Sequence, residues 1–288
     1  MNEIPNNSLL AVSGGADSMY MLHKYRDIDG IHVAHVNYNI RHDSVQDAEL
    51  VESICKMYNI PFHLHTETVP PNSGVEDWAR EVRYLFFNEI MDKYNLTNIV
   101  TAHNANDQAE TLLMKIHRGT GIRGLCGIHK YNKKFRAYRP LLHMKKDEIY
   151  YECRKYNIPY REDSTNVDTT YTRNWFRHEY VEDTMIDDLV KVADTISNLL
   201  PSLYKYAEDY YGDTIKYVDN KLYISKEINK SSLLFYYITE MLSDKVVISQ
   251  GCFDRMFSPD PTTKRFSITT NVYCNKRKKH WIIIEGLL

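Results

Sequence analysis

The strongest constraint on the fold is a regular alternation of short apolar runs with longer amphipathic segments through the first two thirds of the chain. The apolar runs have the length of strands and are Leu9–Val12, Ile31–Val36, Pro61–His65 and Asn98–Ala102. The helix-patterned segments are Ser18–Tyr25, Val45–Tyr58, Val75–Tyr94, Asp107–His117 and Lys145–Tyr156. This alternation predicts βαβ units with right-handed crossovers, and therefore an α/β domain built on a parallel sheet.

The pattern changes after Tyr180, which indicates a second domain. The segment Ile186–Tyr210 predicts a long helix that is interrupted at Pro201. The remaining elements are predicted as strands Ile215–Val218, Leu222–Ile224, Phe266–Val272 and Trp281–Glu285 and a helix Ser231–Leu242. At roughly 150 residues per domain, 288 residues also favour two domains. We expect residues 1–195 to form the α/β domain and residues 196–288 to form a smaller helical or α+β domain.

A glycine turn follows the first predicted strand, with the sequence Ser13-Gly14-Gly15-Ala16-Asp17-Ser18. Glycines let the main chain approach a ligand closely, and a helix N-terminus presents unpaired N–H groups and a partial positive charge, so such a turn suits phosphate. An acid at Asp17 suits a Mg²⁺ ion or a helix cap. The turn matches neither G-x-x-x-x-G-K-[ST] nor G-x-G-x-x-G. The alternative is a small-residue turn that only joins strand to helix.

The charge distribution is uneven although the net charge is only −2. The stretch Thr111–Lys146 contains no Asp or Glu. Its basic residues are Lys115, Arg118, Arg123, Lys130, Lys133, Lys134, Arg136, Arg139, Lys145 and Lys146. A face of this kind could bind a polyanion, because each Lys or Arg placed on a phosphate releases a counterion. The alternative is a solvated surface that acids elsewhere balance, and charge alone favours neither interpretation.

Cysteine usage and hydropathy bear on the cellular compartment. The five cysteines are scattered and form no C-x-x-C pair, which indicates reduced thiols and argues against a zinc ribbon or a disulfide framework. No apolar run approaches the roughly 18 residues of a membrane span. The N-terminal sequence MNEIPNNSLLAV lacks the basic and apolar regions of a secretory signal. We expect a cytoplasmic protein with no membrane partner.

The turn Ser13–Ser18 resembles the SGGxDS signature of the PP-loop ATP pyrophosphatases. Further segments resemble, in order along the chain, motifs of the tRNA(Ile)-lysidine synthase family. These segments are His35–Arg41, Ala79–Tyr84, Thr101–Thr111, Arg118–Leu125, Arg139–Leu142 and Glu162–Asn166, followed by Arg173-Asn174 and Arg177-His178. The resemblance covers roughly residues 8 to 180, and its strength comes from the combination of motifs in register.

The resemblance implies a PP-loop fold of the adenine nucleotide α hydrolase type. It also implies ATP and Mg²⁺ as cofactors, and L-lysine and tRNA(Ile) with a CAU anticodon as substrates. Enzymes of this family adenylate the 2-oxo group of the wobble cytidine, and the lysine amine then displaces AMP. Most of the rate in such a reaction comes from positioning and charge stabilisation.

The resemblance also assigns candidate site residues. The nucleotide-binding residues are Ser13, Gly14, Gly15, Ala16, Asp17 and Ser18. The catalytic candidates are Asp17, Arg83, His103 and Asp107, of which Asp17 and Asp107 are the metal candidates. The substrate-binding candidates are Glu110, Arg118, Arg123 and Arg173. His103 and Asp107 follow the fourth predicted strand, at the sheet edge where open α/β folds bind ligands.

Plainer interpretations exist for several of these residues. Asp107 and Glu110 could be acids that complement the dipole at a helix N-terminus, and His103 could be a core histidine. Four positions depart from the family pattern: Asn106 in place of Asp, Tyr38 in place of His, Asn39 in place of Gly, and Ser164 in place of Pro. Asn106 removes one carboxylate from the expected metal site.

Three other functions remain open at this stage. A PP-loop tRNA thiolation enzyme would need reactive cysteines, for which Cys126 and Cys153 are the candidates. A non-catalytic ATP- and tRNA-binding module is a second alternative. An amide-forming synthetase is a third, although no glutaminase domain fits into the remaining residues. The sequence leaves the oligomeric state open, a homodimer included.

Overall fold

The structure is a computed structural model that describes residues 4–40, 43–67, 71, 73–162, 183–242, 245–258, 265–276 and 281–287. The chain divides into two compact units. The first unit contains Met1–Gly119 and Gly124–Ala193, and the second contains Thr120–Arg123 and Asp194–Leu288. Within the described residues, no helix combines the length and the apolar character that crossing a membrane requires.

The first unit is built on a six-stranded sheet with the order β3-β2-β1-β4-β6-β5. Its strands are β1 (Ser8–Ala11), β2 (His32–Asn37), β3 (Phe62–Thr66), β4 (Asn98–Val100), β5 (Tyr131–Asn132) and β6 (Ala137–Tyr138). Every neighbouring pair is parallel except β5 with β6. The predicted parallel α/β sheet is confirmed, while the short β5–β6 hairpin has no counterpart in the sequence prediction.

Helices cover both faces of this sheet. They are α1 (Ala16–Tyr25), α2 (Ser44–Met57), α3 (Val75–Tyr94), α4 (Ala105–His117) and α5 (Lys146–Lys155). Successive residues of β1 point to opposite faces, so that Leu10 joins one apolar cluster with Met21 and Leu9 joins another with Phe87. Burial on both faces explains why the central strand β1 is a continuous apolar run rather than an alternating one.

The strand order reverses at β1, and this reversal places the candidate site. β1 lies between β2 and β4 and is parallel to both, with Leu10 opposite Val33 and Val100. The chain leaves β1 into the turn Ser13–Ser18 and leaves β4 into Thr101–Asp107. Both segments therefore lie at the carboxyl edge, where neighbouring connections diverge and leave a crevice for a ligand.

The second unit contains an antiparallel sheet with the order β7-β8-β11-β10-β9. Its strands are β7 (Ile215–Val218), β8 (Lys221–Ser225), β9 (Arg265–Ser267), β10 (Tyr273–Asn275) and β11 (Trp281–Glu285). The remaining helices are α6 (Asp183–Tyr211), within which the first unit ends, α7 (Ser232–Met241) and α8 (Gln250–Met256). The core of this unit includes Leu222, Ile238 and Phe253, all fully buried.

Two sequence predictions for this region are wrong. Pro201 lies inside a continuous helix α6, although an interior proline removes one helical hydrogen bond and costs about 3 kcal/mol. Packing of buried residues such as Ala207 and Tyr211 stabilises the helix in spite of the proline. The segment Phe266–Val272 is not one strand, because the chain reverses after Ser267, where Ile268 N donates to Val272 O at 2.7 Å.

A histidine pair at the amino end of β2 and β3 predicts a pH-dependent stability. His32 Nδ1 and His63 Nε2 are 2.9 Å apart and share a hydrogen bond, beside Tyr94 and Lys93. Burial lowers the pKa of both rings below the usual value of about 6.5, and for His63 the charges of His32 and Lys93 lower it further. The folded chain thus binds fewer protons than the unfolded chain, so stability is lost as pH falls from about 6.5 through the folded-state pKa values.

We expect the melting temperature to fall by a few degrees between about pH 7.5 and about pH 5. The His63→Gln variant should show a smaller decrease, because one of the two depressed pKa values is removed. Parallel pH curves for wild type and variant would exclude the histidine pair as the cause.

Candidate functional site

The glycine turn is held in shape by the side chain of Ser18. Its Oγ accepts hydrogen bonds from the backbone N–H groups of Ser13 and Gly14 at 3.1 and 3.2 Å and donates to Gly15 O at 3.0 Å. Ser18 is buried, whereas Ser13 is exposed. The hydroxyl of Ser18 thus organises the turn, and Ser13 is the hydroxyl of the pair that faces solvent.

Gly14 and Gly15 meet different steric demands. Gly14 has φ +96°, and a Cβ atom there would lie 3.2 Å from Asp47 Cβ, so both backbone conformation and space favour glycine. Gly15 is the N-cap of α1, where the first N–H groups of the helix have no helical partner. Asp17 lies in that first turn and is partly buried.

Arg161 ties the turn to the start of α2. Its backbone N–H donates to Gly14 O at 3.0 Å. Its guanidinium donates to Asp47 Oδ1 at 2.8 Å and to Asp43 Oδ2 at 2.9 Å. Since the peptide group is planar and trans, a Gly14 carbonyl that points at Arg161 directs the Gly15 N–H to the opposite side. Arg161 therefore fixes the orientation of the Gly15 N–H, a backbone donor of the glycine turn.

A cavity of about 240 Å³ adjoins the turn. It is lined by Ser13, Gly15, His35, Val36, Asn37, Tyr38, Ile40, Ser44, Asp47 and Arg161. His35 Nδ1 donates to Val12 O at 2.8 Å, and burial lowers the ring's pKa, so the ring is neutral at pH 7 and Nε2 is an acceptor. Ser44 Oγ is buried and has no hydrogen-bond partner among the described residues. These groups could receive a polar heterocycle or a ribose.

Tyr38 and Arg83 lie together at this wall. Tyr38 Oη donates to Ala79 O at 3.1 Å. Burial raises the pKa of Tyr38, and the positive charge of Arg83, together with a hydrogen bond to that side chain, counteracts the shift. Arg83 is partly buried. The candidate Arg83 therefore contacts Tyr38, which lines the cavity. Tyr38 stands in place of the histidine of the family pattern.

The segment after β4 carries the other candidates. His103 Nδ1 is hydrogen-bonded to Thr101 Oγ1 at 2.9 Å. Asp107 and Asn104 form a capping box, in which each side chain accepts from the other's backbone N–H at 3.0 Å. Asp107 therefore does cap α4, and its role as a metal ligand stays a prediction. Glu110 is 1% exposed and lies in the buried part of α4.

Asn106 has a structural role that is compatible with the loss of a carboxylate. Its Oδ1 accepts from the backbone N–H of Lys146, the first residue of α5, at 2.9 Å. Gln108 ties α4 to the following loop through Cys126 O and Ile128 O at 3.1 and 3.2 Å. Asn106 and Gln108, two polar residues of the motif Thr101–Thr111, thus stabilise the fold by bonding to the backbone of neighbouring segments.

Of the three arginines predicted to bind substrate, the structure describes Arg118 and Arg123, which belong to different units. Arg118 is exposed at the end of α4, and Arg123 belongs to the second unit, where its Nη1 lies 3.5 Å from Glu240 Oε2. Arg173 lies outside the described residues, as do Arg41, Asp163–Asn166 and Arg177-His178.

The acid-free stretch 111–146 does not form a single basic face. Arg139 is buried and donates to His129 O at 2.7 Å. Lys115 donates to Gly127 O at 2.6 Å, and Lys145 forms an ion pair with Asp187 at 2.5 Å. These cations are close together in the sequence, which favoured a common face. In the structure, Arg139 and Lys115 donate to backbone carbonyls and Lys145 pairs with an acid of α6.

Magnesium fits this site only as a partner of bound phosphates. No group of three or more His, Cys, Asp or Glu side chains among the described residues could hold a metal ion. Mg²⁺ is commonly held by one or two carboxylates together with substrate phosphates and waters. Asp17, in the first turn of α1, is the candidate carboxylate for such a set, and its role as a metal ligand stays a prediction.

The cysteines considered for sulfur chemistry are buried thiols. Burial raises the pKa of Cys153 to about 11, and its Sγ lies 3.7 Å from Ala16 O. Cys126 is fully buried. A protonated, buried thiol is a poor nucleophile.

Comparison with known proteins shows the family of the chain. A family model described as a PP-loop domain matches residues 2–184, which is more than half of the chain. The chain belongs to the PP-loop family. A PP-loop domain supports the use of ATP, in agreement with the geometry of the turn at β1.

Curated relatives of this PP-loop protein are tRNA(Ile)-lysidine synthases. The enzyme of Mycoplasma mycoides subsp. mycoides is 36% identical over 231 residues, which are 76% of this chain and 56% of the relative. That of Thermotoga maritima is 36% identical over 238 residues, 79% of this chain and 56% of the relative. The chain thus spans little more than half the length of these relatives.

Among solved structures, the U34-tRNA thiolase of Methanococcus maripaludis with its [4Fe-4S] cluster is similar in fold. It superposes with a TM-score of 0.53 at 16% identity, covering 67% of this chain and 71% of that protein. At this identity the likeness shows the shared fold alone.

Sequence reasoning missed Arg161, Asp47 and Ser44. The spacing of Asp43 and Asp47 by four residues at a helix start was a weak signal for a shared partner. Nothing in the sequence pointed to Arg161 as that partner.

Proposed function

We propose that the chain is an ATP-dependent ligase that joins L-lysine to C2 of the wobble cytidine of tRNA(Ile) with a CAU anticodon. The observation that carries the proposal is the similarity to curated tRNA(Ile)-lysidine synthases over three quarters of the chain. The PP-loop family model, which matches residues 2–184, includes both the turn and the segment after β4. The fold supports it, because both segments lie at the edge where a nucleotide and a second substrate could meet.

The chemistry requires activation of a poor leaving group. The cytidine O2 attacks the α-phosphate of ATP, so that an O–P bond forms and pyrophosphate leaves. The lysine Nε then attacks C2, the C2–O2 bond breaks, and AMP departs with the former carbonyl oxygen. The amine loses its proton to a base or to solvent.

The residues divide into two groups in this scheme. The backbone of Ser13–Ser18 and the N-terminus of α1 bind the pyrophosphate, and Asp17 would hold a Mg²⁺ ion, which would neutralise the phosphate charge. His103 and Asp107 follow β4 at the carboxyl edge of the sheet, and Arg83 lies beside Tyr38, which follows β2. We assign all three to contact with the adenylated base or the lysine. Glu110, Arg118, Arg123 and Arg173 bind substrate. We place the reaction in the cytoplasm, as the scattered thiols suggest; a homodimer stays open.

Asp17→Asn is expected to lower pyrophosphate release by about a hundredfold, because the amide loses the charge that holds the metal. Release is measured with tRNA, lysine and Mg-ATP. Asp27→Asn is the control, since Asp27 follows α1 and its side chain is 89% exposed. Normal release by the Asp17 variant would remove Asp17 from the metal site.

The proposed activity is tested with labelled lysine, Mg-ATP and a tRNA(Ile) transcript with a CAU anticodon. We expect lysine in the RNA, with AMP and pyrophosphate formed in equal amounts. A transcript with a UAU anticodon is the control, because it lacks the wobble cytidine. Sulfur transfer without lysine incorporation would establish the thiolation alternative, and nucleotide and RNA binding without turnover would establish a non-catalytic module.

A further inference from the structure

A second cavity lies entirely within the second unit and has no part in the site at β1. Its volume is about 350 Å³, near the lower end of the roughly 300–1,000 Å³ that small-molecule sites occupy. We call it the helical pocket, lined by Gly121, Ile122, Arg123, Leu203, Ser232, Leu233, Phe235, Tyr236, Thr239 and Gln250. A cavity of this size takes one small group and not a peptide or a helix.

The lining of the helical pocket selects a planar and largely neutral group. Ile122, Leu203 and Leu233 give it apolar walls, and Phe235 adds an aromatic one. Among the described residues of the lining, the polar contributions come from the neutral side chains of Ser232, Thr239, Gln250 and Tyr236 and from one cation, Arg123. These described residues include no Asp, Glu or Lys, which disfavours an ammonium ligand such as lysine and offers a phosphate one cationic partner.

The guanidinium of Arg123 is accessible to a ligand. Its side chain is 45% exposed, and Nη1 lies 3.5 Å from Glu240 Oε2, beyond the roughly 2.7–2.9 Å of a charge-assisted hydrogen bond. Glu240 Oε2 is buried and accepts no hydrogen bond from the described residues. The ion pair between Arg123 and Glu240 is therefore weak. The guanidinium plane can stack on a flat ring, or donate hydrogen bonds to it, without breaking a strong hydrogen bond to Glu240.

We propose that the helical pocket receives one unstacked nucleobase of the RNA substrate. Proteins read single-stranded RNA by splaying bases out, stacking them on aromatic rings or arginine planes, and bonding their polar edges. Phe235 supplies the aromatic ring, Arg123 supplies the guanidinium plane, and Gln250 supplies an amide that can bond to a polar edge. The inference rests on the proposed function, since it takes the tRNA as the substrate and assigns to Arg123 a contact with a base.

The test fills the helical pocket and removes bases one at a time. Leu233→Trp and, separately, Ser232→Phe place an aromatic ring in the pocket; Ser232 is exposed, so its variant changes little core packing. Leu199→Trp is the matched control, because Leu199 is 48% exposed and does not line the pocket. Affinity is measured for tRNA(Ile) transcripts in which each unpaired nucleotide other than the wobble cytidine is made abasic in turn.

We expect one abasic position to weaken binding to the wild type by about tenfold, the effect of one lost base–aromatic contact. The same position should have no effect on either filled variant, while the Leu199 control behaves as the wild type. The inference is overturned if every abasic position affects the filled variants and the wild type equally. Loss of lysine transfer and of tRNA binding by the wild type would reject the proposed function and the inference together, whereas wild-type activity with uncoupled abasic positions would reject the inference alone.

Discussion

Gly14→Ala is expected to reduce pyrophosphate release by about a hundredfold, the effect of displacing reacting groups by about 1 Å. Gly14 has φ +96°, and the new Cβ would lie 3.2 Å from Asp47 Cβ, a backbone-anchored atom on α2. Relief of both strains requires the turn to move, and the N–H groups of the turn move with it. The measurement is the rate of pyrophosphate release at saturating lysine and tRNA.

Gly74→Ala separates backbone strain from displacement of the site. Gly74 also has a positive φ of +68°, but a Cβ there meets nothing within 4 Å. It should lose about 1 kcal/mol of stability from the left-handed conformation while release stays near the wild-type rate. Equal losses of activity in the two variants would mean that the close approach of Gly14 to Asp47 has no part in phosphate binding.

Arg161→Ala is expected to raise KM for ATP by at least about tenfold and to lower stability. Asp47, whose side chain is 8% exposed, loses its ion pair with Arg161, and breaking a buried ion pair by removing one member costs about 3–5 kcal/mol. Because the Arg161 side chain is 31% exposed, we expect about 1–3 kcal/mol here. KM rises because Asp47 and the wall of the cavity beside Gly14 move.

Arg26→Ala is the matched control, since Arg26 is also 31% exposed and forms an ion pair with Asp27 at 3.6 Å. It should leave KM for ATP unchanged. In the double variant Arg161→Ala with Asp47→Asn, the increase in KM should be smaller than the product of the two single effects, because both act through one contact. Independent effects, or a loss of stability with normal KM, would contradict a positioning role for Arg161.

Local sequence patterns predicted the elements that surround the site. β1, the turn and α1 follow one another within a short segment, so apolar length, glycine position and helical period all act locally. The parallel sheet follows from the alternation of elements. The segment after β4 was placed at the correct edge for the same reason, because parallel strands end on one side.

Long-range contacts explain what the sequence could not show. Arg161 and Asp47 lie 114 positions apart, and only the folded sheet brings them together. Arg139 reads as a surface cation, yet the loop that carries His129 buries it. Pro201 reads as a helix break, and tertiary packing of α6 overrides that local preference.

The central claim is that ATP activates the 2-oxo group of the wobble cytidine, and the fate of that oxygen tests it most directly. A tRNA(Ile) transcript carrying ¹⁸O at cytidine O2 is incubated with the protein, unlabelled lysine and Mg-ATP, and the AMP is analysed by mass spectrometry. We predict that the AMP carries ¹⁸O in its phosphate, in an amount equal to the lysine incorporated. Unlabelled AMP alongside lysine incorporation would contradict the account.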